Sequence, residues 1–399
     1  MKRVYLLNPL SVGEIASCFR SLSVHPEGVR IMGKKAVFYT FRVRSLSSPA
    51  ANILKQEALA AGAELATAWR VIKDPDAETD AVLTGTYRQI EIIVRKIRKQ
   101  QFGLPGIAGE IESALPGLLA PRPYLTYRRS RLDLRSGPKI MGIVNVTPDS
   151  FSDGGRFFST DAAVEHGIEL CEQGADLLDI GGESTRPGSR PVDATEEKGR
   201  VVTVIRKLRQ RTEVPISIDT RKSEVARAAL DSGADIVNDV SALAHDSRMP
   251  GVITKYGAGI VMMHMKGVPR TMQKAPAYVD VIAEVLSFLE QRAGYALERG
   301  IDRDHIAVDP GIGFGKTHEH NLSILKHLKA FRALGFPLLI GASRKSFIGK
   351  YTGTGVSERS YGSVATAVWA AINGADIVRV HDVGETRQAL LMVRHIMDA

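Results

Sequence analysis

The sequence predicts an α/β chain in which residues 122–399 form a (β/α)8 barrel, preceded by a smaller basic α+β domain in residues 1–121. Three observations predict this. From Pro138 onward, short apolar runs rich in β-branched residues alternate with longer stretches of helical periodicity, the pattern of a parallel sheet with right-handed crossovers. The phrase Gly-Ala-Asp recurs at 174–176, 233–235 and 374–376, each time between a helix candidate and a strand candidate. The charge is also divided. Residues 1–135 hold 21 Lys and Arg against 12 Asp and Glu, residues 136–399 hold 32 against 32, and the whole net charge of +9 therefore lies in the first part.

Taken in order, the strand candidates are residues 140–146, 175–181, 215–219, 236–240, 259–264, 306–309, 337–342 and 377–381. Helix candidates stand between them at 161–173, 195–211, 223–232, 278–299, 319–334 and 359–373, with 386–397 after the last strand. Eight units in about 260 residues suit a closed TIM barrel better than an open doubly wound sheet. No Gly-x-Gly-x-x-Gly follows a first strand to argue otherwise. The glycine of each Gly-Ala-Asp can end a helix in the left-handed conformation, so these phrases read as structural. Before the barrel, strand-like pieces at 3–7 and 36–41 alternate with helix-like ones at 48–61 and 84–99. A loop-rich tail over 101–123 then leads into the barrel through residues 117–138.

Composition excludes several classes. An apolar content of 44% and a charged content of 24% are those of a soluble globular protein. The two cysteines, Cys18 and Cys171, lack metal-ligand spacing and make no disulfide framework, which points to a reducing, cytoplasmic setting. No run approaches the ~18 apolar residues of a membrane span, and the opening nine residues read as a strand rather than a secretion signal. The basic excess is spread out and carries no recognition motif, so it reads as a solvated face and not as a nucleic-acid surface.

In such a barrel the active site forms at the C-terminal ends of the strands, and polar residues crowd all eight of them. Asn145 and Thr147–Gly155 follow the first strand, and Asp179–Gly188 end the second. Asp219, Asn238, His264, Asp309, Lys345 and Arg379 with His381 end the remaining six. One such cluster could be only a helix cap or a turn. Eight of eight, with carboxylates at the ends of buried strands, need partners, and a ligand is a natural one. Asp219, Asn238, Asp309 and Lys345 suit a flat heterocycle with adjacent donors and acceptors, since a carboxylate accepts two parallel hydrogen bonds. Arg186, Arg379, His381 and Asn145 suit a multiply charged anion such as diphosphate, with Asn145 able to give one oxygen to Mg2+. A Schiff-base role for Lys345 competes with these, though Arg344 and the Arg-rich ring favour an anion or carbonyl contact.

These residues resemble a known family. Ile143-Val144-Asn145-Val146-Thr147-Pro148-Asp149-Ser150-Phe151-Ser152-Asp153-Gly154-Gly155 and Asp179-Ile180-Gly181-Gly182-Glu183-Ser184-Thr185-Arg186-Pro187-Gly188 resemble the two dihydropteroate synthase signatures. Residues 218–220, 237–240, 309–316, 343–346 and 379–383 continue the pattern in order. The resemblance implies that Asp219, Asn238, Val240, Met263, Asp309 and Lys345 hold a pterin. It implies that Asn145, Arg379 and His381 hold the diphosphate, with Asn145 on its Mg2+. Phe151, Thr185, Arg186, Pro187, Phe314 and Ser346 would form the p-aminobenzoate pocket once the loops 147–158 and 183–192 close. Asp153, Lys345, Arg379 and His381 would act in catalysis, with Asp153 stabilising a pterin methylene cation in an SN1-like displacement. Small-molecule substrates, Mg2+ and a homodimer follow from the same resemblance. A methyltetrahydrofolate:corrinoid methyltransferase shares the barrel and the Asp/Asn pattern, but needs neither a diphosphate clamp nor a benzoate pocket. A catalytically idle pterin binder is the third reading, and motifs at all eight strand ends argue against it.

Overall fold

A computed structural model describes residues 12–119, 122–146, 160–184, 189 and 191–398. The chain divides between Leu119 and Ala120 into two compact units.

The first unit opens with helices α1 (Val12–Ser21) and α2 (Pro26–Ala36). Strand β1 (Phe38–Ser47), helix α3 (Ser48–Ala60), strands β2 (Glu64–Thr67) and β3 (Glu78–Thr86), and helices α4 (Tyr87–Ile97) and α5 (Leu104–Leu119) follow. The sheet runs β1-β3-β2 and is antiparallel. In β3 the buried residues alternate, Thr79, Ala81, Leu83 and Gly85, so one face packs on Leu54, Ile90, Ile93 and Ile97 of the helices. A capping box of Thr86 and Gln89 starts α4, which makes residues 84–86 strand rather than the start of the predicted helix.

The predicted loop-rich tail is instead α5. Leu104, Ala108, Ile111 and Leu115 are buried at helical spacing. Pro105 stands in the first turn, where its missing N–H costs nothing, and that apolar stripe outweighs the glycines and Pro116. The predicted strand at 3–7 lies outside the described residues.

The second unit begins with the hairpin β4 (Tyr124–Tyr127) and β5 (Ser130–Asp133). Eight parallel strands follow: β6 (Lys139–Asn145), β7 (Leu177–Gly181), β8 (Ile216–Asp219), β9 (Ile236–Asp239), β10 (Gly259–Met263), β11 (Ile306–Asp309), β12 (Leu339–Ile340) and β13 (Ile377–Val380). They pair in sequence from β6 to β11, β12 pairs with β13, and β13 returns to β6. A single bridge between Val308 and Leu338 joins β11 to the segment before β12 and brings the ring to closure. Helices α6 (Thr160–Glu172), α7 (Ala194–Arg209), α8 (Ser223–Asp231), α9 (Met249–Tyr256), α10 (Val281–Glu298) and α11 (His318–Lys326) follow successive strands. Helices α12 (Ser346–Thr352) and α13 (Ser360–Ile372) lie between β12 and β13, and α14 (Val383–Asp398) closes the chain.

The Gly-Ala-Asp phrases build the N-terminal end of this barrel. The carboxylates of Asp176, Asp235 and Asp376 accept from the backbone N–H groups of Ile140, Ile216 and Leu338, at 2.8, 3.0 and 2.8 Å. Each therefore ties its own strand to a neighbour where the ladder begins. Arg209 and Arg332 add charge to Asp235 and Asp376, at 2.7 and 2.8 Å. The hairpin seals that end, with Leu125, Leu132 and Leu134 packed on Met141, Leu177 and Ile236.

Candidate active site at the C-terminal end of the barrel

Strand register aligns the candidate residues in two runs along the C-terminal ends of the strands. Asn145 is opposite Gly181, Gly181 opposite Asp219, and Asp219 opposite Asn238. On the far side Met263 is opposite Asp309. Parallel strands of a tilted barrel carry such neighbours to one rim.

The rim is bound together by Asp179, one turn of the pleat below it. Asp179 is fully buried and accepts from Asn238 Nδ2 at 3.0 Å and from Arg379 Nε at 2.6 Å. Arg379 Nη2 also donates to Asp219 at 3.1 Å. Burial pushes the Asp219 carboxyl above the usual range, the neighbouring Asp179 adds to this, and Arg379 opposes it. Burial disfavours the charged form of Arg379, yet Asp179 and Asp219 together hold it above its ordinary value. The Oδ1 of Asp179 has no hydrogen-bond partner among the described residues.

Opposite lies a second group. Asp309 accepts from the Gly311 N–H at 2.7 Å; burial raises its carboxyl and Lys345 opposes. The Lys345 ammonium donates to the Ile312 carbonyl and stands 4.4 Å from the centre of the Phe314 ring. Burial brings this lysine down to about 8, against the pull of Asp309. His381 faces Ser343, with Nδ1 3.0 Å and its N–H 3.2 Å from Oγ.

The structure thus brings Asp219, Asn238 and Arg379 into one bonded cluster and Asp309, Lys345 and Phe314 into another. Val240 and Met263 are buried, Asn145 is half-buried, and Ser346 is exposed at the first turn of α12. Phe151, Asp153, Thr185, Arg186 and Pro187 lie outside the described residues. Asp179 has no separate role in the sequence reading, although an acid inside the apolar run Leu177–Gly181 already signals a buried pair. Lys316 and His264, which bond at 2.8 Å, also gave no sign of pairing in the sequence.

Among the described residues no three His, Cys, Asp or Glu side chains gather to hold an ion. Asn145 Oδ1 lies within 3.7 Å of where a side chain on Gly181 would begin, on the Asp219 side of the rim. One protein oxygen fits Mg2+, which commonly keeps water and phosphate oxygens as its other ligands.

A parallel barrel with paired carboxylates and cations at the C-terminal ends of its strands is an enzyme of the (β/α)8 class. More narrowly, the chain belongs to the pterin binding enzyme family, which it matches over residues 141–381. Dihydropteroate synthase of Escherichia coli K12 is 46% identical over 268 residues, covering 67% of this chain and 94% of that relative. That of Bacillus subtilis is 42% identical over 264 residues, covering 66% and 90%. The Xanthomonas albilineans dihydropteroate synthase with 4-aminobenzoic acid superposes with a TM-score of 0.66 at 46% identity, covering 69% of this chain and 99% of that one. The same enzyme with 7,8-dihydropteroate gives 0.63 at 43% identity, covering 69% and 100%.

Proposed function

We propose that this chain is a dihydropteroate synthase of folate biosynthesis. It condenses 7,8-dihydropterin-6-ylmethyl diphosphate with p-aminobenzoate to give 7,8-dihydropteroate and diphosphate. The observation that carries the reading is the rung of Asp219 and Asn238 with Arg379 bonded between Asp179 and Asp219, facing Asp309 and Lys345. Carboxylates so placed accept the paired N–H groups of a pterin's guanidine-like edge. Asp219, Asn238, Asp309 and Lys345 bind the pterin, and Val240 and Met263 pack on it. Arg379, His381 and Asn145 take the diphosphate. Phe314 and Ser346, with Phe151, Thr185, Arg186 and Pro187, receive the arylamine.

The chemistry asks the chain for positioning and charge. The C–O bond to diphosphate breaks and the pair of electrons leaves on oxygen, where Arg379 and His381 meet the growing charge. The pterin methylene is left as a cation that Asp153 stabilises. The neutral arylamine then attacks, forms the C–N bond and gives up its proton to water. Mg2+, held by Asn145 and the diphosphate, would supply further charge neutralisation. Lys345 contributes by fixing the ring.

The activity belongs to the barrel domain, residues 122–399. The two cysteines are free and no helix among the described residues is long and apolar enough to cross a membrane, which supports a cytoplasmic enzyme. Exposed Trp369 on α13 and Leu391, Met392 and Ile396 on α14 support a homodimer.

Sulfonamide competition tests the reading. A sulfonamide, flat and anionic at one end, should compete with p-aminobenzoate, and only when Mg2+ and diphosphate or the pterin diphosphate are present. Equal binding to the bare protein refutes the ordered pocket, and a lack of competition refutes the arylamine site.

A further inference from the structure

The segment after β11 is held in an uncommon way, and its consequence rests on the functional reading above. Five consecutive carbonyls, from Gly311 to Gly315, each accept from a side chain. Gly311 and Phe314 accept from Lys316 Nζ at 2.9 and 3.1 Å. Ile312 accepts from Lys345, Gly313 from Gln273 Nε2 at 2.5 Å, and Gly315 from Tyr278 Oη at 2.8 Å. A backbone Phe314–Gly311 turn bond at 3.1 Å accompanies them. The segment is also pressed against the chain that follows β10. A side chain on Gly311 would begin 1.9 Å from the His264 carbonyl, and one on Gly315 2.2 Å from that of Lys266. Both glycines have positive φ, 70° and 61°, so glycine is required twice over.

Lys316 is the centre of this arrangement. It is 2% exposed, and its Nζ lies 2.8 Å from His264 Nδ1 as well as against the two carbonyls. Burial and the nearby lysine push His264 down to about 3, so its ring is neutral and Nδ1 can accept from Lys316. The other face of His264 is fixed edge-on by Phe288, with ring centres 4.8 Å apart. A buried amine is costly unless its donors are used, and here two loop carbonyls, those of Gly311 and Phe314, share them with the ring and the carbonyl of His264.

We propose that Lys316, backed by His264 and helped by Tyr278, is a positioning residue that winds residues 311–315 into a rigid cradle. The cradle sets the Phe314 ring at the arylamine's place and the Ile312 carbonyl at the Lys345 ammonium. Lys316 itself touches neither substrate. Its loss therefore acts on the second substrate more than on the first: Phe314 rides on the loop itself, whereas of the pterin residues Asp309 and Lys345 meet the loop only through the Gly311 N–H and the Ile312 carbonyl, and Asp219, Asn238 and Arg379 stand on other strands.

The test compares Lys316→Met and Tyr278→Phe with the wild-type full-length protein. Amide hydrogen exchange over residues 311–316 and the KM of each substrate are read in parallel. Lys316→Met should exchange there about tenfold faster, while exchange in Ile236–Asp239 stays at the wild-type rate. Its KM for p-aminobenzoate should rise about tenfold, and that for the pterin diphosphate less than about threefold. Tyr278→Phe, which removes one donor from the loop's edge, should move both readouts the same way by about threefold, and it decides the matter if Lys316→Met does not fold. Unchanged exchange over 311–316 overturns the proposal. So does faster exchange across the whole barrel, or an equal rise in both KM values, since either marks a merely structural lysine. A wild-type protein that forms no dihydropteroate defeats the functional reading instead, and the exchange comparison still decides the cradle.

Discussion

Arg379 and Asp179 form a hydrogen-bonded ion pair, Nε to Oδ2 at 2.6 Å, that links the last strand of the barrel to the second. The acid is fully buried and the arginine one-fifth exposed. Arg379 also reaches Asp219, so one guanidinium orders two carboxylates of the site. Asp179→Asn leaves Arg379 paired with Asp219 and loses the charge-assisted bonds that Asp179 accepts, so it should lower stability by about 1.5–3 kcal/mol, read from the urea midpoint. A midpoint equal to that of the wild type contradicts the pairing.

Asp309→Asn should weaken pterin binding by about 2–4 kcal/mol, because an amide offers a donor where a second acceptor is needed. Calorimetric titration with a pterin reads this directly. Near-native affinity would remove Asp309 from the pterin site.

Lys345 gives a pH dependence. Burial brings it down to about 8, so it is protonated below that pH and neutral above. Binding that needs its ammonium is full on the acid side and is lost as pH rises through about 8. The kcat/KM of the wild type should fall over that interval. In Lys345→Arg the guanidinium stays charged, and the fall should disappear whatever the absolute rate. A wild-type rate constant that is flat from neutral pH to well above 8 contradicts this role.

The hairpin decides how much of the N-terminal part the barrel needs. Leu125 and Leu132 are buried with Met141, Leu177 and Ile377 at the barrel's closed end. A chain of residues 122–399 should be soluble and keep most of the synthase activity. One of residues 136–399 lacks the seal and exposes those leucines' partners, so it should aggregate or melt at lower temperature. An inactive 122–399 chain would show that the first unit belongs to the enzyme.

The barrel is legible in the sequence because buried parallel strands are continuous apolar runs, and their ends are where acids and amides stop such runs. The runs at 306–309 and 236–240 correspond to β11 and β9 within one residue. The short helices Met249–Tyr256 and Ser346–Thr352 are not legible, since two turns carry too little periodicity to stand out. The run at 337–342 shrinks to the two paired residues Leu339 and Ile340, because only a bridge joins its other side. Helix α5 was hidden by its prolines and glycines. In the site, the acids were visible one by one, but their partners were not. Lys316 and His264 are 52 residues apart in the chain, and Arg379 and Asp179 are 200 apart. No local pattern carries a pairing at that range.

The most direct measurement is turnover by the purified full-length protein supplied with 7,8-dihydropterin-6-ylmethyl diphosphate, p-aminobenzoate and Mg2+. 7,8-Dihydropteroate and diphosphate should appear together in equal amounts, and product formation should be lost in Asp309→Asn. A folded protein that binds the pterin but releases no diphosphate and forms no dihydropteroate would contradict the proposed function.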